Sequence, residues 1–416
     1  GFYIGVWLIS SIGIKLLPGW GLGQVEELRR SCLLLTGVFA ATTTAIFLSK
    51  YHIATSRMTL TLSFILCLPL LPLVRHYMKK VLIRFHLYGM QSVIFSDRKT
   101  ATEVAQSLKE EPDLGYIPTA VFVDDKEKDR SDIGGLPVHS IHDNPETYAH
   151  VAILAMPSLS RHRMLEMLEG PLSVYRHIVV IPDMYEAPSL WVKPRDMGGV
   201  LGLEISSNLL DVWARLIKRI VDIFLIIVFF PLWSSLFLLI TLLVWFQDRK
   251  NPFFIHKRAG QNGLDFKIWK FRTMRHDAEE VLEQKLDENQ ELRIEWETNF
   301  KLKEDPRITG LGRFLRKTSL DELPQLINVL KGEMSLVGPR PLPNYHNNEL
   351  PERIRDMRER VRPGMTGLWQ ISGRSESGNQ GIAKWDTYYV RNWSLWLDII
   401  ILFRTIRAVI KKEGAY

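Results

Sequence analysis

The sequence predicts a membrane-associated α/β protein in three parts. Transmembrane helices occupy residues 1–87, a Rossmann-like parallel α/β domain residues 88–205, and a C-terminal domain residues 206–416, which enters the bilayer through a re-entrant helix at 219–247. Three observations carry this reading. Apolar residues are 46% of the 416-residue chain, an ordinary share, yet they gather in runs as long as a bilayer is thick. Between the early runs and the late one, short β-rich stretches alternate with helical stretches, which is how a parallel sheet reads. The late run has cations at both ends and a proline inside it.

Residues 1–17 read as the tail of a membrane helix; the chain opens at Gly1 inside that run, so a further helix upstream is expected. Residues 31–49 and 58–74 each have the length of a spanning helix and form a hairpin. Arg29 and Arg30 precede it and Arg75, Lys79, Lys80 and Arg84 follow it, so the positive-inside rule places both ends in the cytoplasm, against a weaker signal from Lys50 and Arg57 at the tip. Cys32 and Cys67 lie inside apolar runs and read as packing residues. A net charge of +7 suits anionic headgroups and nucleotide phosphates. No nucleic-acid-binding module appears, so nucleic acid is not an expected partner.

Strands are expected at 92–95, 120–123, 151–154 and 178–181, with helices near 100–110 and 160–168. The first strand runs into Ser96-Asp97-Arg98-Lys99-Thr100, which lacks the glycine fingerprint of a dinucleotide site. Asp124-Asp125 closes the second strand, and the Lys126, Lys128 and Arg130 that follow make it a solvated turn. Residues 220–246 are apolar for about 27 positions, long enough to cross a bilayer. Lys218 and Arg219 at one end and Arg249, Lys250, Lys257 and Arg258 at the other hold both ends on one side, and Pro231 favours a break between them.

Lys257-Arg258-Ala259-Gly260 and Phe266 to Arg272 read as two strands joined by a glycine turn. Residues 277–300 read as an acidic surface helix, with Leu282, Leu286 and Trp296 as packing positions. In Ser319-Leu320-Asp321-Glu322-Leu323-Pro324-Gln325-Leu326, Pro324 is tolerated only in a first turn, so a helix is expected to begin at Ser319 to Asp321. An N-cap at Asp321, or a Ser319/Glu322 capping box, would explain the acids by stability alone, at about 1 kcal/mol. Against that, Arg316, Arg340 and Arg374 recur beside Gly and Pro turns, as a site for phosphate oxygens requires, and the helix dipole would hold Asp321 ionised. Adjacent helical carboxylates do not face each other, so one attacking while its neighbour steadies a metal fits better than an acid/base pair. His256, His276 and His346 have no partners at zinc-ligand spacing. Residues 393–412 combine Trp393, Trp396 and Phe403 with Arg404, Arg407, Lys411 and Lys412, as in a helix lying at the membrane surface; packing against another helix is the alternative.

Five motifs stand in one order: Lys270-Phe271-Arg272-Thr273-Met274, the Ser319–Leu326 stretch, Leu336-Val337-Gly338-Pro339-Arg340-Pro341, Arg362-Pro363-Gly364-Met365-Thr366-Gly367-Leu368, and Gly373-Arg374. In these the chain resembles the monotopic phosphoglycosyl transferases, or bacterial sugar transferases. Residues 213–416 carry the resemblance, and the added membrane and α/β parts resemble the large members of that family.

The resemblance implies a monotopic catalytic domain that transfers a hexose 1-phosphate, galactose or glucose, from a UDP-sugar to undecaprenyl phosphate, with release of UMP. It implies Asp321 as nucleophile, Glu322 as its partner in holding Mg²⁺, and Lys270, Arg316, Arg340 and Arg374 as phosphate contacts, with Arg272 a weaker candidate. It further implies a homodimer in the bacterial inner membrane, the catalytic domain on the cytoplasmic face, and a membrane helix broken at Pro231, where Phe230 stands in place of the family's usual serine. Two rivals remain. A membrane-bound nucleotide-sugar dehydratase needs a glycine fingerprint and a Tyr-x-x-x-Lys pair, which this chain lacks. A non-catalytic scaffold of polysaccharide assembly explains the α/β domain but leaves the Arg and Asp-Glu motifs without purpose.

Overall fold

A computed structural model describes residues 2–48, 56–124, 132–141, 143, 149–156, 159–181, 192–196, 201–205, 212–290, 292–293, 302, 305–372 and 378–411. The chain divides into two compact units, Gly1–Glu186 and Ala187–Tyr416.

In the first unit, α1 (Phe2–Gly13) precedes α2 (Gln24–Leu48) and α3 (Arg57–Arg84), the last two long and apolar enough to cross a membrane. Both extend past the expected 31–49 and 58–74 because their polar ends pair with each other. Glu27 of α2 accepts from Arg75 and, at 2.7 Å, from Lys79 of α3. Strands β1 (Met90–Ser96), β2 (Tyr116–Val123), β3 (Val138–Ser140), β4 (Val151–Ala155) and β5 (His177–Val180) make a parallel sheet in the order β3-β2-β1-β4-β5. The sequence reading missed β3, which at three residues shows no alternation. Val93, Ile94 and Phe95 of β1 are fully buried between the two faces, which is why a continuous apolar run forms the central strand. Helices α4 (Arg98–Glu110) and α5 (Arg161–Glu169) complete the unit. Asp97 caps α4 by accepting from Thr100 N at 2.8 Å, so a carboxylate fills the helix start where a dinucleotide would place its phosphate. Asp124 ends β2; Asp125 to Arg130 lie outside the described residues.

The second unit starts with an antiparallel ribbon, β6 (Val192–Asp196) and β7 (Leu201–Ile205). Helix α6 (Val212–Val228) then stops at Phe229, and α7 (Phe230–Asp248) takes up Pro231 in its first turn, where a missing N–H costs nothing. On α6, Lys218, Asp222 and Ile226 recur every four residues and are buried, while Ile217, Ile220, Phe224 and Ile227 are exposed. Arg219 donates to Val329 O and, at 2.9 Å, to Leu330 O. Lys218 in turn pairs with Asp398 at 2.6 Å, so these two cations, read from sequence as topology signals, are also fasteners to the domain. Helix α7 is long and apolar enough to cross a membrane, yet its Ile240 and Val244 are buried against Phe271 and Leu315.

Strands β8 (Phe253–Ala259) and β9 (Asp265–Phe271) form the expected hairpin over the turn at Gln261–Gly263. There follow α8 (Ala278–Glu288), α9 (Gly310–Lys317), α10 (Gln325–Lys331), β10 (Ser335–Val337), α11 (Asn344–Asn348), α12 (Glu352–Glu359), β11 (Gly364–Thr366), α13 (Leu368–Ile371), α14 (Gly378–Asn392) and α15 (Leu395–Lys411). The acidic helix α8 buries no residue, and Trp296 lies outside the described residues. Trp393, expected at the membrane surface, is buried just before α15 and donates to Asp398 at 3.0 Å; a ring whose N–H finds a carboxylate in the core has no need of the interface. Along α15, Leu397 and Ile401 face the core, and Phe403 and Ile406 are exposed.

Candidate active site

Three leucines place the acidic pair. Leu320, Leu323 and Leu326, each three residues from the next, pack into the clusters formed with α6, α7 and β9. Asp321 and Glu322, which fall between them, line a cavity of about 1550 Å³. The local backbone differs from the expected helix start: Leu320–Glu322 form a 3₁₀ turn, and α10 begins only at Gln325 with Pro324 before it. Ser319 has φ 55°, in the left-handed region, and makes no capping bond with its side chain. The acids are thus neither an N-cap nor a capping box, and strained backbone sits directly before them.

The cations come from separate elements. Lys270 at the end of β9 donates to Glu322 Oε1 at 2.7 Å and stands 3.5 Å from Asp321 Oδ2. Arg340 follows β10 and donates to the same Oε1 at 2.8 Å. Arg316, in the last turn of α9, is held by a bond from its Nε to Thr273 Oγ1 at 2.9 Å. That bond needs α9 pressed against residue 273, and Gly312 permits it, since a Cβ there would stand 2.0 Å from Thr273 O. Gly338 and Gly364 likewise let β10 and β11 meet: a Cβ on Gly364 would lie 2.1 Å from Gly338 N. Of the residues singled out from sequence, Asp321, Glu322, Lys270, Arg316 and Arg340 line the one cavity; Arg374 lies outside the described residues. Arg272 also lines it and is paired with Asp248 at 2.5 Å.

The two carboxylates differ in acidity. Burial would raise the pKa of Glu322, but Arg340 and Lys270 hold it down to about 2. Burial pushes Asp321 up; Lys270 opposes this and the charge of Glu322 adds to it, with Arg316 and Arg340 pulling down more weakly. The sequence reading, which had the helix dipole stabilise the Asp321 charge, is corrected here: no α-helix starts at Asp321, and desolvation outweighs its neighbours.

Two features escaped the sequence reading. Arg258 of β8 lines the cavity with its Nε buried and without a hydrogen-bond partner, and burial, then Arg340 nearby, lower its pKa. Its signal was the alternation that puts Phe254 and Arg258 on one face of β8, the face turned to the cavity. Behind Arg340, the buried Arg358 donates to Arg340 O at 2.6 Å, to Asp386 at 2.8 Å and to Asn347 at 3.2 Å. No local pattern announces a pair 28 residues apart.

Among the described residues no three His, Cys, Asp or Glu side chains gather as a metal site. The dyad still fits a magnesium ion that takes one or two carboxylates and completes its shell with water and substrate phosphate. Both bonds to Glu322 use Oε1, and among the described residues no hydrogen bond reaches Oε2.

A carboxylate pair of split acidity thus lies in a cation-lined cavity, on a domain of a membrane-associated protein that carries exposed apolar helices. The chain belongs to the bacterial sugar transferase family, whose sequence profile matches residues 213–412. It is 36% identical to a UDP-galactose-lipid carrier transferase of Erwinia amylovora, across 94% of this chain and 82% of that protein. It is 35% identical to undecaprenyl-phosphate galactose phosphotransferase of Salmonella typhimurium, across 83% of this chain and 74% of that one. Identity to a UDP-glucose:undecaprenyl-phosphate glucose-1-phosphate transferase of Escherichia coli is 32%, across 80% and 71%.

Proposed function

We propose that the protein transfers a hexose 1-phosphate, galactose or glucose, from a UDP-sugar to undecaprenyl phosphate and releases UMP. This is the first membrane step of O-antigen, capsule or exopolysaccharide synthesis. The observation that carries the reading is the Asp321–Glu322 asymmetry. Glu322 is tied to two cations, whereas Asp321 is buried with a raised pKa and only a distant Lys270 contact. A partly desolvated, weakly paired carboxylate is the better nucleophile of the two.

Asp321 attacks the β-phosphorus of the donor. A P–O bond forms to its carboxylate, the bond from that phosphorus to the bridging oxygen breaks, and UMP leaves with the electron pair. A phosphate oxygen of undecaprenyl phosphate then attacks the same phosphorus and releases Asp321. Lys270, Arg316, Arg340 and Arg258 neutralise the phosphate oxygens as charge moves to the leaving group, and Arg374 is proposed to join them. Asp321 and Glu322 would hold Mg²⁺, which when bound screens the carboxylate from the diphosphate.

The membrane placement is proposed with it. Buried contacts to the same domain run from Lys218 to Ile226 on α6 and from Trp233 to Val244 on α7, a pattern that supports a pair of helices dipping into one leaflet of the inner membrane from the cytoplasmic side. A homodimer is proposed from the family resemblance.

The direct test is UMP release by the purified full chain with undecaprenyl phosphate, Mg²⁺ and a panel of UDP-sugars. Release with one sugar, stopped by EDTA and restored by Mg²⁺, is the expected result. No release with any sugar would count against the transferase reading. A second expectation concerns pH. Lys270 lowers the pKa of both carboxylates, so Lys270→Met should move the acid limb of the kcat/KM profile to higher pH. An unmoved limb would take Lys270 out of the control of Asp321.

A further inference from the structure

We propose that a second cavity, on the opposite side of β10 from the dyad, binds the phosphate headgroup of an anionic membrane lipid. The cavity holds about 310 Å³ and is lined by Arg215, Lys218 and Arg219 of α6, Ser335 of β10, and Arg362. Alternation along β10 separates it from the dyad: Ser335 lines this cavity, and the next residue, Leu336, lines the other. The Arg362-Pro363-Gly364-Met365 segment divides in the same way, with Arg362 here and Met365 beside the dyad. The motif's arginine therefore serves a site other than the reaction centre.

The charges of this cavity are unbalanced. Lys218 is taken by Asp398 at 2.6 Å, and Arg219 is fixed on the last carbonyls of α10. Among the described residues the one carboxylate on the wall, Asp222, is turned to β10, where it accepts from Ser335 Oγ at 2.7 Å and from Leu336 N at 3.4 Å. Among the described residues no carboxylate pairs with Arg215 or Arg362. Guanidinium groups gathered around one cavity repel each other until an anion sits among them, and phosphate matches their geometry.

The apolar surroundings choose the source of that phosphate. Leu216 belongs to the rim and is exposed, and Trp213, Ile217, Ile220 and Phe224 continue the exposed apolar surface along α6. A soluble phosphate would use the arginines alone. A lipid would use both features, its head among the arginines and its chains along α6. The choice of a lipid rests on the proposed membrane placement of α6 and α7, and the transfer reaction does not enter it.

The test uses the full chain in a neutral detergent, with lipid retention read by native mass spectrometry. Phosphatidylglycerol should be held by the wild type and at least about tenfold more weakly by Arg215→Gln/Arg362→Gln, since each charge-assisted contact contributes of order tenfold. The Arg215→Lys/Arg362→Lys pair should recover part of the loss, which separates lost charge from lost fold. Phosphatidylcholine retention should not respond. Equal phosphatidylglycerol retention by wild type and the glutamine pair would overturn the site. Inorganic phosphate binding that disappears in the glutamine pair, with phosphatidylglycerol indifferent to it, would overturn the lipid source. Flotation of the same proteins with phosphatidylcholine vesicles reads membrane placement by itself, so the two failures are told apart.

Discussion

Asp321→Asn should reduce UMP release by about 10⁴-fold or more, removal of a covalent nucleophile costing up to about 10⁶-fold, and should leave the protein at least as thermally stable as the wild type. The stability half follows from the direction of the pKa shift. Burial raises the folded-state pKa of Asp321 above its unfolded value, so the ionised side chain opposes folding at neutral pH and an uncharged isostere relieves that opposition. A rise in Tm together with lost turnover is the combination expected where function is held at the expense of stability. Glu322→Gln should move stability the other way. Its pKa falls from 4.5 to about 2, a shift worth about 3 kcal/mol, which is present above the unfolded pKa and lost as pH drops toward the folded one. Gln removes that contribution and leaves Lys270 and Arg340 only a neutral carbonyl oxygen to share. Comparing Tm and UMP release for the two variants thus separates adjacent carboxylates; retained turnover in Asp321→Asn would remove it as the nucleophile.

Much of this site was legible because short motifs hold their chemistry locally. Asp321 and Glu322 are adjacent, and Arg340 stands between Pro339 and Pro341 in a turn-forming run; Lys270 entered only through the family resemblance. What sequence did not give was the backbone between them. Pro324 pointed to a first helical turn at Asp321, yet Ser319 enters the left-handed region and the α-helix begins only at Gln325. The spacing of Leu320, Leu323 and Leu326 explains the outcome, because the turn is fixed by what it packs against, and capping propensity yields to that packing. The acidity of Asp321 was misread for the same reason: burial is a tertiary quantity, and no window of sequence contains it. Strands of the parallel sheet were readable where both faces are buried, as in Val93 to Phe95, and unreadable in Val138–Ser140, too short to show a period.

Arg358→Met is expected to damage the enzyme twice, and the two effects can be pulled apart. Arg358 and Asp386 are both buried, 7% and 1% exposed, and burial pushes Asp386 up to about 6 even with Arg358 beside it. Near neutral pH the carboxylate is therefore ionised only with its partner's help. Removing Arg358 leaves an uncompensated buried charge, a loss of roughly 3–5 kcal/mol that a thermal melt would register as a large drop in Tm. The sign predicts its own pH dependence. A raised folded pKa favours folding at low pH, and without Arg358 the pKa of Asp386 rises above the wild-type value of about 6, so the deficit of Arg358→Met should shrink as pH falls toward about 6 and Asp386 takes up a proton. The second effect is positional. Arg358 Nη2 holds the carbonyl of Arg340 at 2.6 Å, and Arg340 in turn holds Glu322. Replacing both partners, as Arg358→Met with Asp386→Leu, removes the buried charges together and should restore most of the Tm, since well-packed apolar pairs substitute for buried ion pairs at little cost. Catalysis should not return with it: kcat should stay down by roughly 10²-fold, because misplacing a phosphate contact by an ångström costs about that much. Wild-type kinetics in the stabilised double variant would show that Arg358 only holds the fold, and that Arg340 finds its place without it.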